Sequence, residues 1–497
     1  MKSDAAQVSK RPEEKGRLRP MNAIEYGKDQ KSAAAKAAEY GLIAFAGMVV
    51  TWHTWLALTR HLWARENNML LSPTFMKLLN ADFWLTIAFL ACALLWFAFG
   101  HLLGPGVEDR KKAVLKCLRA PECLMILGLF VWYLVTNLAY SDDSNQLVNY
   151  MRYELDAGIC AVILFPLGRI LGFRRMKRFL DVVLHIILAS GTVTICIMLF
   201  NFFIGNTLTL PNGLTVHAKP TGRIYFGVNE NIEAMISLTM SCICLYMFFI
   251  HKRRAGRIVY GAVMLPHVMA MLMTGSRACF LALLFTLPAA AALFVWTQAD
   301  RPDAKRRLVY SLAAFAIGCA CILALRSGLS QLCRIITHSK RGLDERDLLQ
   351  DNGRLKVWNA SLYMMMNFSP KQFVFGILKL EIPKHLTPYL SSLYGESKSY
   401  AHAHNQILQV GCAQGIPAMI VYAVFLFATG VRGLRILFME IKRRYKDGLL
   451  VIPICLFGMM VVNMVEPFIW LYFSVMGCVF HLMAGMLPDA EKEISRR

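Results

Sequence analysis

Apolar stretches of about 20 residues, the length a helix needs to cross a bilayer, recur along this chain. Twelve can be marked, near 41–59, 83–103, 122–140, 156–172, 179–204, 231–250, 257–273, 278–297, 308–325, 415–437, 449–465 and 467–487. Of its 497 residues, 56% are hydrophobic, more than a soluble globule can hide from water. The reading is therefore an all-α fold, a polytopic transmembrane helix bundle of about twelve spans. The pairs 257–273/278–297 and 449–465/467–487 read as tight hairpins. Residues 1–40 are polar and basic with no signal-peptide pattern, and are expected to form a disordered cytoplasmic tail. Residues 41–487 form one transmembrane domain, and 488–497 a short cytoplasmic C-terminal tail.

The net charge of +22 would suit a nucleic-acid binder if it were gathered on one surface. It is not. The N-terminal tail and the loops after even-numbered spans are rich in Lys and Arg, whereas the short loops after odd-numbered spans carry few. Short cytoplasmic loops are enriched in these residues, so both termini are expected in the cytoplasm. The surplus charge then reports topology and attraction to membrane lipids, and no nucleic acid is expected as a partner. The 14 cysteines are scattered, mostly inside apolar runs (Cys92, Cys160, Cys242, Cys244, Cys319, Cys321), with no CxxC pair. They read as small buried side chains, not as a metal or disulfide framework.

One long segment, about Arg326–Asn405, separates spans nine and ten and is assigned to the outer face. Long outer segments escape the charge rule, so its basic residues are free to act. Within it, Leu355, Trp358, Leu362 and Met366 fall on one helical stripe, predicting an amphipathic helix against the bundle or the membrane interface.

The polar residues with chemical potential lie on that same face. Thr274-Gly-Ser-Arg-Ala278 is the tip of a hairpin. Arg277 there is either a cation snorkelling to headgroups or, beside Ser276, an anion-capturing fork. Arg354 opens the amphipathic helix, where it reads as a solvated helix-start charge with Asp351 as its candidate partner. Arg223 precedes span six in Gly222-Arg-Ile-Tyr-Phe-Gly-Val-Asn-Glu-Asn231, a turn whose asparagines suit helix capping. Glu233 follows one turn later and needs a partner at that depth, with Arg223 and Arg277 as candidates. His402 and His404 stand two apart in Tyr400-Ala-His-Ala-His-Asn-Gln406. On a helix they would point to different sides, which argues against a shared metal. His404 and Asn405 run into Gly411, Gly415 and Pro417, a helix that starts polar and breaks before its full span. Glu466-Pro467 forms the last outer tip, explained by turn chemistry or by a part in the site.

This ordered set resembles the O-antigen ligase and O-antigen polymerase family of bacterial envelope proteins. The matching pieces are Gly222-Arg223 with Asn229 and Asn231, Gly275-Ser276-Arg277, Arg354 with Trp358, Ser369-Pro370 leading to Gly376, and His404-Asn405 running into Gly411 and Gly415. They cover about 220–440, while 1–210 match only in hydropathy. The resemblance implies a ligase-like glycosyltransferase of cell-envelope polysaccharide biosynthesis in the bacterial cytoplasmic (inner) membrane, working on the extracytoplasmic face. The donor would be a glycan on undecaprenyl pyrophosphate, and the acceptor a hydroxyl of a glycan, lipid or protein. Arg277 and Arg354 would hold the pyrophosphate and His404 would act as general base, with no metal and no cofactor. Arg223, Ser276, His402, Asn405 and Glu466 are further candidates. A polymerase of the same family would use a second lipid-linked repeat unit as acceptor. A polysaccharide transporter or flippase would instead place ionisable groups deep in several spans, where this chain offers chiefly Asp181, His185 and His267.

Overall fold

The computed structural model describes nearly all of residues 115–140, short pieces between 158 and 216, and most of 230–496, with breaks at 299–303, 338–352, 444–450 and 471–473. The basic tail and the predicted spans 41–59 and 83–103 lie outside the described residues. The described chain is almost wholly helical. In order it runs through α1 (Pro121–Ala139), α2 (Leu184–Phe200), a two-residue antiparallel ladder of β1 (Leu208–Thr209) with β2 (Thr215–Val216), α3 (Glu230–Ile250), α4 (Arg254–Met273), α5 (Arg277–Gln298) and α6 (Ala304–Thr337). Four short helices follow: α7 (Arg354–Met366), α8 (Pro370–Phe375), α9 (Ile382–Tyr394) and α10 (Gln406–Gln414). Three more close the chain, α11 (Ile416–Arg443), α12 (Val451–Asn463) and α13 (Val475–Arg496).

Six of these, α1, α3, α4, α5, α6 and α11, are long and apolar enough to cross a membrane, and α2, α12 and α13 are shorter apolar helices. Helices are the expected answer, because lipid offers backbone N–H and C=O groups no partner outside the segment. At one proline a neighbouring helix offers a weak substitute donor. Pro288 inside α5 donates nothing to the carbonyl of Leu284, and Cys319 Sγ of α6 approaches that oxygen at 3.7 Å. Of α3's apolar window 89% is buried, against 11% for α6, so α3 is the centre of the bundle and α6 faces outward.

Two ends of the bundle can be told apart by what they gather. At one, Glu122 of α1 binds Arg169 Nη1 at 3.0 Å and Arg432 of α11, which also donates to Glu491 of α13 at 3.1 Å. At the other lie the start of α3, the α4–α5 turn, α7 to α10 and residues 464–470. Two boundaries differ from the sequence reading. Helix α6 continues to Thr337, so the first dozen residues of the expected outer segment are helical, with the Arg326 guanidinium 4.0 Å from the Phe280 ring centre. The last hairpin is not tight. Helix α13 begins at Val475, and Asn463 draws residues 468–469 into a fold of their own by accepting from Phe468 N at 3.0 Å and Ile469 N at 2.9 Å.

The predicted break in span ten is present. Asn405 caps α10 by accepting from Ile407 N and Leu408 N, and the helix stops at Gly415, with φ 88°, before α11 resumes. Helix α8 docks on that break. Ser369 and Gln372 form a reciprocal cap at its start, and Gly376, with φ 71°, ends it. A Cβ on Gly376 would stand 2.5 Å from the Ala413 carbonyl carbon, and one on Gly415 2.2 Å from the Val374 oxygen. The two backbones touch because both positions are glycine, and Ile377 N donates to Cys412 O at 2.8 Å across the contact. Gly376→Ala or Gly415→Ala is expected to lower stability by on the order of 3 kcal/mol, read as an earlier melting transition of the purified protein in detergent. Unchanged melting in both variants would mean that the contact is not as close as described.

Candidate functional site

Glu466 sits in the segment between α12 and α13 with its side chain 1% exposed. A carboxylate there loses its hydration and is stable only if donors replace the water. Three do so at Oε1: Arg354 Nη2 at 2.6 Å, Asn231 Nδ2 at 2.9 Å and His404 Nδ1 at 3.3 Å. Oε2 accepts no hydrogen bond among the described residues, and His402 Nε2 lies 3.8 Å from it. The carboxylate thus ties α3, the start of α7 and the strand of chain entering α10 to one point.

The same bonds orient the surrounding groups. An amide facing a carboxylate must present its NH2, so Asn231 turns Oδ1 the other way, where Ser276 Oγ donates to it at 2.8 Å. This brings the α4–α5 tip to the site. Thr274 shapes that tip by donating to Met271 O at 2.6 Å and accepting from Ser276 N at 3.2 Å. Arg277, half-buried, is the first residue of α5 immediately after Ser276. Arg354 is likewise the first residue of its helix, after Gly353. Both cations therefore stand at helix N-termini, whose free N–H groups add positive potential.

His404 has φ 50°, a conformation uncommon for a residue with a side chain. It is held there because Trp358 Nε1 of α7 donates to His404 O at 2.9 Å and His404 N donates to His402 Nδ1 at 3.3 Å. With Nδ1–H given to Glu466, the lone pair of His404 resides on Nε2. The sequence reading put both histidines on a helix and on different sides. Instead they precede α10 in irregular chain, and their rings lie 4.1 Å apart. His402 Nε2 or Nδ1, His404 and Glu466 offer ligand atoms within 4.8 Å of one another, spacing that a metal ion could use, so the spacing argument against a shared metal does not hold. The carboxylate already carries a cation, however, in the guanidinium of Arg354.

The loop bearing Glu466 is fixed by a buried polar net. Gln406 of α10 accepts from Ile469 N and Trp470 N and donates to Trp470 O at 2.8 Å. Asn405 Nδ2 donates to Met464 O at 3.0 Å, and Trp470 Nε1 to Gln414 Oε1 at 3.1 Å. Asn231 was read as a cap and proves to be a bridge. Asn463, Gln414 and Trp470 were not singled out at all. For Asn463 and Gln414 the signal was a polar residue at the edge of an apolar run, and Trp470 carried none. Glu233 lies buried one turn into α3. Arg223 and Asn229 lie outside the described residues.

Burial pushes the Glu466 carboxyl up, but the His404 hydrogen bond and the charges of His404, His402 and Arg354 outweigh it and hold it below its ordinary value. Burial, then His404, with Lys379 and Arg354 adding to it, pushes the His402 imidazole down to about 4 against the pull of Glu466, so it is neutral at physiological pH. A carboxyl lowered by folding stabilises the protein above its unfolded pKa, and that contribution is lost as pH falls through the lowered folded value. Glu466→Gln is therefore expected to cost roughly 2 kcal/mol at neutral pH, with the gap to wild type closing in acid. Melting curves of both proteins across pH 7 to 3 test this, and a pH-independent gap would contradict it.

No curated protein matches the chain. Residues 262–423 match the family model described as O-antigen ligase, and that segment carries Arg277, Arg354 and His404.

Proposed function

We propose that the chain transfers a glycan from undecaprenyl pyrophosphate to an acceptor hydroxyl at the outer face of the cytoplasmic membrane. The observation that carries this reading is the gathering of Arg354, His404 and, through Asn231 and Ser276, the Arg277 tip around one buried carboxylate at one end of an apolar bundle. Arg354 and Arg277 bring two guanidinium groups to this end of the bundle, the groups that an anionic donor requires. A guanidinium fork at a helix N-terminus is suited to phosphate oxygens.

In the reaction, the acceptor oxygen attacks the anomeric carbon and the bond from that carbon to the phosphate oxygen breaks. The electron pair leaves with the pyrophosphate, where the arginines stabilise the growing charge. The hydroxyl proton passes to His404 Nε2. Glu466, on Nδ1–H, stabilises the imidazolium that results. Pyrophosphate is already a stable anion and needs no general acid. Attack opposite the leaving group inverts the anomeric centre.

Arg277→Ala and Arg354→Ala are expected to lower transfer by about a thousandfold in membranes supplied with lipid-linked glycan, with Lys recovering little because a point charge does not replace the fork. Near-normal transfer in both alanine variants would remove the clamp. His404→Asn keeps a residue that tolerates φ 50° but lacks the base. It is expected to bind donor normally while turnover falls at least about a hundredfold. Turnover that survives His404→Asn unchanged would exclude it as the base. Exposed Ser397, in the segment 395–400, reports the face. A cysteine placed there is expected to react with a membrane-impermeant thiol reagent in intact cells, and labelling only after lysis would invert the topology.

A further inference from the structure

Helix α7 has two apolar faces. Val357, Ala360, Ser361, Met364 and Met365 are buried against the bundle. On the other side Leu355, Leu362, Tyr363 and Met366 are exposed, at 54%, 45%, 45% and 82%. The predicted stripe of Leu355, Leu362 and Met366 is thus the outward face, while Trp358 turns toward His404. At 100° per residue the four exposed positions fall within one arc of about 100°. Its single polar residue is Asn359, which donates to Tyr394 Oη of α9 at 3.2 Å, and Tyr363 borders α9 with its ring 5.8 Å from that of Tyr389.

What lies against this face follows from where α7 is attached. After three residues it leads into α8, and α8 is fastened to the end of the apolar helix α1. Tyr140 Oη donates to Gly376 O at 2.6 Å, Trp132 stacks on Phe375 at 5.5 Å, and Lys371 Nζ lies 4.4 Å from the Tyr140 ring centre. Leu138, in the last turn of α1, is 69% exposed, and Phe373 of α8 is 48% exposed. The outward face of α7 therefore continues the apolar surface of a spanning helix at the level where that helix leaves the bilayer. Tyrosine beside lysine is the composition of that level.

We propose that the outward face of α7, Leu355, Leu362, Tyr363 and Met366, continued by Phe373 of α8, lies in the interfacial layer of the bilayer and holds Arg354 at the depth of lipid phosphates. The lipid contact rests on the geometry alone, whereas its consequence for Arg354 rests on the function proposed above. A helix floating at that depth fixes the height of its first residue. A lipid-linked pyrophosphate then meets the guanidinium without leaving the headgroup layer.

The test uses the full chain in nanodiscs. Met366→Cys and Leu362→Cys, each labelled with bimane, are compared with Lys384→Cys on the exposed polar side of α9, with the signal of the labelled parent protein subtracted. A lipid carrying a nitroxide high on its acyl chain is expected to quench the first two about threefold more than the third. Equal quenching at all three would overturn the proposal. So would loss of quenching that grows with protein concentration, which would make the face a contact between two copies. For the consequence, Leu362→Glu is expected to raise the donor KM about tenfold at unchanged kcat and unchanged melting, since the charge displaces the face from lipid. An unchanged KM would overturn the positioning of Arg354 and leave the lipid contact standing. Absence of transfer by wild type would fall on the proposed function instead, because the quenching measurement does not depend on activity.

Discussion

The carboxylate of Glu466 is the contact on which the site depends. Taken out of water, it would be unstable by several kcal/mol without replacement donors. Its Oε1 receives three, from residues that are otherwise far apart in the chain: Arg354 is 112 positions away and Asn231 235. Meeting that one demand brings the start of α3, the start of α7 and the entry to α10 together. The buried net of Asn463, Gln406 and Asn405 then holds the Glu466 loop in place, so that the carboxylate is a fixed reference and not a mobile side chain.

Precision at the other side comes from backbone contact. Helix α10 ends after nine residues because Gly415 turns the chain, and α8 reaches the break because Gly376 carries no Cβ. Irregular backbone inside an apolar bundle is stable only when its polar groups are paired, and here they are: Ile377 N pairs with Cys412 O, and Gln414 O accepts from Trp132 Nε1 at 2.9 Å. The result is a rigid platform behind His404, whose left-handed backbone is held on one side by Trp358 and on the other by His402.

The charges divide the labour. Glu466 stays ionised and balances Arg354, and His402 stays neutral. The imidazole of His404 is oriented with its acceptor nitrogen away from the carboxylate. In the transfer proposed above, the acceptor nitrogen of His404 meets the proton, and the guanidinium groups of Arg277 and Arg354 meet the pyrophosphate.

The sequence by itself determined the helical, membrane-crossing class and the punctuation of the chain. Long apolar runs have no other stable form in lipid. Ser369-Pro370 with Gly376, and Asn405 with Gly415, mark helix ends by local rules that need no tertiary partner. It also brought Arg277, Arg354, His404 and Glu466 into view, because charged or titratable groups at the tips of apolar helices are conspicuous. Only the tertiary structure decided what joins them. The role of Asn231 as a bridge, the adjacency of His402 to His404, and the outward orientation of Leu355, Leu362 and Met366 all rest on contacts between distant parts of the chain. A single helix presents an apolar stripe without saying whether protein or lipid covers it. Burial of one carboxylate among donors from three elements is a property of their packing, which no local pattern encodes.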